Sequence, residues 1–305
     1  MAGARRCEGA DVGAAAALGA AVFWAATNLI LRQQIGKLGG ATAQAWRTVV
    51  STLVFGLIFL ALRSPRDLLS IPARTLAILL LSVLLSMVIG DILQFTAVRR
   101  LGIALALPIA SCYPLFTLLI AAATLGEVPT LRAASGALLV VAGVILVALP
   151  RRALLEDGMR LQATPDTGHW VGVAFALGSA VCVAAATTLT RAAIRDIDIL
   201  TANMFRLPFS AVLCTLISTV ERRRPPWQVE RRGILPLCLA GLTGLGSGLC
   251  YLSAIKLVGA SQTATLNAAG PIFGLLGAVI FLRERPTRRN IAGTLIAFLG
   301  VALVV

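Results

Sequence analysis

The sequence predicts an all-α integral membrane protein, with ten transmembrane helices arranged as two inverted five-helix repeats. Three observations carry this: the composition, the spacing of the apolar runs, and a register in which the chain matches itself. The 305 residues are 58% hydrophobic and 13% charged, and the mean hydropathy is +0.90. Soluble domains carry about a quarter charged residues, which excludes an ordinary soluble domain. A disordered chain is excluded for the opposite reason, since disorder requires low hydrophobicity and high charge. The net charge of +14 raises the question of nucleic acid. The arginines, however, fall in small clusters between apolar runs, as they do at membrane surfaces. No nucleic-acid partner is therefore expected, and membrane lipid is.

About 20 apolar residues cross the hydrocarbon, and ten segments qualify. The first, 12–31, follows Arg5 and Arg6 and is too long for a signal-peptide core, so it reads as a retained span. The second, 42–62, ends at Arg63-Ser-Pro-Arg66. The third, 75–97, ends at Arg99-Arg100. The fourth, 101–124, contains Pro108 and Pro114, and the fifth, 131–149, stops before Arg151-Arg152. Spans six to ten follow at 170–190, 201–219, 233–255, 260–282 and 288–305. The longest polar stretch falls mid-chain. It divides the protein into residues 1–150, a linker 151–168 and residues 169–305.

The two halves match at an offset of about 157 residues. Ala97 meets Ala254, Gly102 meets Gly259, Pro114 meets Pro271, and Glu127 meets Glu284. Pro129, Thr130, Arg132, Gly136 and Gly143 meet Pro286, Thr287, Arg289, Gly293 and Gly300. Earlier in each half, Thr42-Ala-Gln-Ala-Trp-Arg47 matches Thr201-Ala-Asn-Met-Phe-Arg206. Five spans per half is an odd number, so the second half must enter from the opposite side. Inverted repeats are typical of secondary transporters, whose substrate sites lie between the halves near mid-membrane.

The stretches Tyr113-Pro-Leu-Phe, Leu-Gly-Glu127-Val-Pro-Thr, Gly136 and Gly143, with Gly270-Pro-Ile-Phe, Arg-Glu284-Arg-Pro-Thr, Gly293 and Gly300, resemble the two EamA repeats of the drug/metabolite transporter superfamily. The resemblance covers nearly the whole chain and names no substrate. It implies a multi-pass protein of a bacterial or archaeal cell membrane that exports or exchanges small metabolites, such as amino acids, by alternating access. The Lys and Arg bias places both termini outside, whereas the resemblance places them in the cytoplasm.

Ionisable groups within spans are costly and default to functional hypotheses. Asp91 lies in Gly90-Asp-Ile-Leu-Gln94, about 12 Å along a helix from Arg99. It is the candidate for proton coupling, with a structural ion pair as the alternative, and Gln94 shares its face. Arg47 and Arg206 hold matching positions. They either anchor their helices by snorkelling or bind an anionic group of a substrate. Proline in a span frees a backbone carbonyl that must face protein or a watery cavity. Tyr113 beside Pro114, and Asn267 four residues before Pro271, are therefore expected to line the cavity, on helices that resemble the family's cavity-lining pair. Trp24 and Asn28, four apart on span one, and Tyr251 on span eight complete the expected site.

Glu127 and Glu284, at span ends, read as turn and N-capping groups. His169 beside Trp170 reads as interfacial. Of the six cysteines, all but Cys7 sit in apolar runs without metal-ligand spacing and read as packing residues. Small residues spaced by four, as in Gly13, Ala17, Ala21 and Ala25, read as close-packing stripes. No paired carboxylates, metal cluster or nucleophile with a base is legible, so no enzyme and no cofactor is expected. No GxxxxGK[ST] run points to ATP. The expected partner is a small-molecule substrate, and the rival function on the same fold is a lipid or lipid-linked substrate flippase. The oligomeric state is not legible.

Overall fold

The computed structural model describes residues 2–38, 40–64, 68, 71–101, 109–127, 130–148, 167–195, 197–222, 229, 231–282 and 288–304. All regular structure in this set is helical. The first half contains α1 (Ala2–Leu38), α2 (Gly40–Leu62), α3 (Ala73–Val83), a π-helical segment (Leu84–Gly90), α4 (Asp91–Leu101), α5 (Tyr113–Leu125) and α6 (Leu131–Ala148). The second contains α7 (Thr167–Ala193), α8 (Ile199–Arg222), α9 (Arg231–Val258), α10 (Ala260–Asn267), α11 (Gly270–Leu282) and α12 (Arg288–Val304). Six stretches are long and apolar enough to cross a membrane: Asp11–Leu31, Thr42–Leu62, Ala73–Gln94, Trp170–Ala193, Ile199–Val220 and Gly233–Val258. Tyr113–Leu125, Leu131–Leu146 and Ile291–Val304 are apolar but shorter. The linker 151–166 and the loop holding Glu284 lie outside the described residues.

Three expected spans are not single α-helices, and one of them, span four, breaks at Ser111–Cys112 before α5. Span three contains the π segment, and the carbonyl of buried Gly90 at its end accepts a hydrogen bond from Ser179 Oγ of α7 at 2.9 Å. Span nine breaks at Ala268–Ala269 into α10 and α11. Proline supplies no N–H, so it is accommodated where a helix begins, and Pro271 is the second residue of α11.

The packing partners repeat when the halves are exchanged. α1 packs along α9, and its counterpart α7 packs along α3, the π segment and α4. α2 packs on its own counterpart α8, and α6 on its counterpart α12. Both self-pairings run antiparallel. Thr42 Oγ1 meets Ser218 Oγ at 2.9 Å, while Phe59 at the far end of α2 belongs to a cluster with Leu200. At the α6–α12 crossing a side chain on Gly136 would strike Val304 and the Gly300 carbonyl, and one on Gly143 would strike Gly293 and Ala297. Only glycine allows backbones this close. The stripe on α1 behaves similarly: Ala14, Ala17, Ala21 and Ala25 are buried, and Gly13 abuts Val258.

Outward-facing leucines such as Leu53, Leu57, Leu131 and Leu295 are half or more exposed. Lipid would cover them in a membrane, where apolar exteriors are the stable choice.

Candidate functional site

Helix breaks occur at the same place in both halves. In the first, Ser111 and Cys112 form a turn before α5. The Cys112 N–H donates to the Ile109 carbonyl at 3.1 Å, and the Leu115 N–H to the Cys112 carbonyl at 3.0 Å. In the second, the Ala269 N–H donates to the Leu266 carbonyl at 3.2 Å, and the Ile272 N–H to the Ala269 carbonyl at 2.9 Å. These tight turns replace regular helical bonds in apolar surroundings, which membrane proteins tolerate only inside protein or around a cavity.

The structure ties the two breaks together. Tyr113 Oη, at the start of α5, donates to the Ala264 carbonyl of α10 at 3.1 Å. Asn267 Nδ2, at the end of α10, lies 3.5 Å from the same hydroxyl. Pro114 is buried beneath them. Tyr251 of α9 packs against a cluster that includes Leu79, Ala202 and Leu252, and Arg206 of α8 is partly buried. The Tyr251 hydroxyl is held 2.8 Å from Thr187 Oγ1 of α7. Of the residues expected from sequence, Tyr113 and Asn267 thus meet across the two breaks.

The other expected residues lie elsewhere. Arg47 packs its side chain on Gly244 of α9, where a Cβ would stand 3.2 Å from its Cδ. Trp24 is 43% exposed, with its ring edge against Gly270. The exposed Asn28 donates to the Trp24 carbonyl at 2.8 Å. Gln94 is partly buried, and neither polar atom of its amide has a hydrogen-bond partner among the described residues. The side chains of Asp91, Pro271 and His169 lie outside the described set.

A second constellation, at one end of the bundle, was only half legible in the sequence. Glu127 does cap a helix, but not the one that follows it. Its Oε1 accepts from the Ala260 N–H at 3.0 Å. Its Oε2 accepts from the Ser261 N–H at 3.2 Å and the Ser261 hydroxyl at 3.0 Å. It therefore caps α10, in the opposite half. Gly259 turns the chain there with φ +90°, and any Cβ would meet the carboxylate at 2.7 Å. Arg191 Nε of α7 lies 3.6 Å from Glu127 Oε1. The same guanidinium donates to the carbonyls of Ile255 and Lys256 at 2.7 and 2.6 Å, the natural place for a cation at the end of α9. Arg195 donates to the Leu125 carbonyl at 3.1 Å. A cavity of about 470 Å³ sits at this end, lined by Glu127, Arg132, Arg191, Ser261 and Gln262 among others. None of the site residues expected from sequence lines it.

The chain matches the EamA-like transporter family twice, over residues 11–149 and 170–305. It belongs to that family. This EamA chain is 27% identical over 293 residues to an uncharacterized transporter of Archaeoglobus fulgidus, spanning 94% of this chain and 95% of that one. It is 25% identical over 205 residues to human solute carrier family 35 member G1, covering 67% of this chain and 55% of the human one. A solved crystal structure superimposes with a TM-score of 0.77 over 97% of this chain and 96% of that chain. At 18% identity that likeness shows the fold alone.

The EamA protein is thus an integral multi-pass membrane protein and a transporter by family. Its interior brings hydroxyl and amide groups together at broken helix ends. Among the described residues no group of three His, Cys, Asp or Glu side chains could hold a metal. Sequence reasoning missed Thr187 and Arg191. Thr187 is one of many threonines that bond back to their own helix, as it does to Val183, so nothing in the sequence marks it out.

Proposed function

We propose that this EamA protein is a secondary transporter of ten spans in two inverted repeats, exporting small polar metabolites, such as amino acids, by alternating access. One observation carries the reading: two broken helices, one from each half, joined at Tyr113, Ala264 and Asn267. Discontinuous helices at the repeat interface are where such transporters hold their cargo. Support for inversion comes from the antiparallel self-pairings of α2 with α8 and of α6 with α12.

Glu127 supplies a way to close one end. It bridges α5 of the first half to α10 and Arg191 of the second, so separating the halves at that end breaks this set of charge-assisted bonds. In the proposed cycle the bond set makes while the opposite end opens, and breaks when cargo leaves through the Glu127 end. Proton coupling through Asp91 belongs to the same proposal. Its support is its place directly after the π segment, a helix irregularity frequent at functional sites.

The test is reconstitution of the full chain in proteoliposomes with a pH gradient, followed by uptake of a radiolabelled amino-acid mixture and, in parallel, translocation of a labelled phospholipid. Concentrative solute uptake that collapses with the gradient supports the reading. Lipid translocation without solute uptake establishes the flippase instead.

A further inference from the structure

We propose that the molecule carried bears an acid group, a carboxylate or a phosphate, and that Arg206 and Asn203 are the groups that bind it. This rests on the transporter reading above and adds the chemical class of its cargo. Arg206 lies in the apolar span Ile199–Val220, about 10 Å along the helix from its start. A guanidinium at that depth requires a counter-charge or acceptors. Among the described residues it has neither. The two ion pairs they contain, Arg63 with Asp198 and Arg191 with Glu127, leave it out.

Asn203 sits three residues earlier, on the adjoining part of the same helix face. It is 3% exposed, and its Nδ2 donor has no hydrogen-bond partner among the described residues. A buried donor left empty costs on the order of 1–3 kcal/mol, so Asn203 is arranged for an acceptor the chain does not itself supply, and the partly buried Arg206 stands one turn from it. A guanidinium and an amide N–H one turn apart are donors only. They match the two oxygens of a carboxylate or phosphate, and an amine would leave them unsatisfied. The repeat counterpart Arg47 is placed differently, lying along Gly244, which puts the acid-binding task in the second half alone.

The experiment uses the full chain in proteoliposomes and a radiolabelled series sharing one side chain: an amino acid, its primary amide, the decarboxylated amine and a phosphate monoester. The expected result is uptake of the acids but not of the amide or amine, the two acid arms telling carboxylate from phosphate. Arg206→Gln is expected to cut acid uptake roughly tenfold or more, as loss of a charged hydrogen bond implies, with Arg206→Lys keeping part of it. Both variants must elute as monodisperse protein, and Arg206→Lys serves if Arg206→Gln does not. Uptake of amine or amide equal to that of acid, or acid uptake unchanged in Arg206→Gln, overturns the acid-group proposal and leaves the transporter reading standing. No uptake of any member by the unaltered protein overturns both.

Discussion

Replacing Glu127 is expected to open the end of the bundle that it closes. Glu127→Gln removes the charge facing Arg191 and turns one acceptor oxygen into a donor facing the α10 backbone. The carboxylate receives two backbone N–H bonds and one hydroxyl bond, and both it and Arg191 are about one-fifth exposed. Hydrogen bonds to charged groups contribute about 1.5–3 kcal/mol each. Gln keeps one acceptor, so a net loss of about 2 kcal/mol is expected, shifting the closed-to-open ratio by more than tenfold. The readout is modification of a cysteine at Thr117, which is fully buried on α5 next to the cavity-lining Leu118. In a background with the native cysteines replaced, Thr117→Cys is expected to react with a membrane-impermeant thiol reagent about ten times faster when combined with Glu127→Gln. Equal reaction rates in the two proteins would falsify the idea that this bond set holds the halves together.

Three further predictions concern separate parts of the structure. Tyr113→Phe removes the bond between the two helix breaks and is expected to cost about 1 kcal/mol, seen as a lower unfolding temperature in detergent, with slower uptake in proteoliposomes. Gly300→Leu inserts a side chain where α12 touches α6 and is expected to destabilise by about 3 kcal/mol or prevent folding. Gly56→Leu, at a glycine with nothing within 4 Å, is the control that should not. Asp91→Asn is expected to leave uptake insensitive to an imposed pH gradient, and uptake that still follows the gradient would remove Asp91 from the coupling role.

The spans were legible because apolar length is a direct requirement of the bilayer, and six of the ten expected segments appear, within a few residues of their places, as helices long and apolar enough to cross. The Gly136–Gly300 and Gly143–Gly293 contacts were foreshadowed by glycines recurring in both halves, since close approach has few other solutions. Tyr113 and Asn267 were reachable because proline marks a broken span, and a broken span needs polar company. The π segment was not, as no proline announces it and Gly90 alone is common in spans. The partner of Glu127 was hidden for a different reason. A capping carboxylate advertises itself by the helix that follows it, whereas here the capped helix begins 133 residues later, and only the fold brings the two together. Asn203 and Arg206 were visible as polar residues in an apolar run, but their lack of acceptors is a property of the surroundings.

The meeting of α6 and α12 has one more consequence. Where Gly136 and Gly300 bring the two backbones together, few side chains stand between the rods to resist a tilt of one on the other. In the proposed cycle that joint is the fulcrum: the two halves stay fastened there while their remaining contacts trade places, and moving cargo becomes a rocking about a fixed pin.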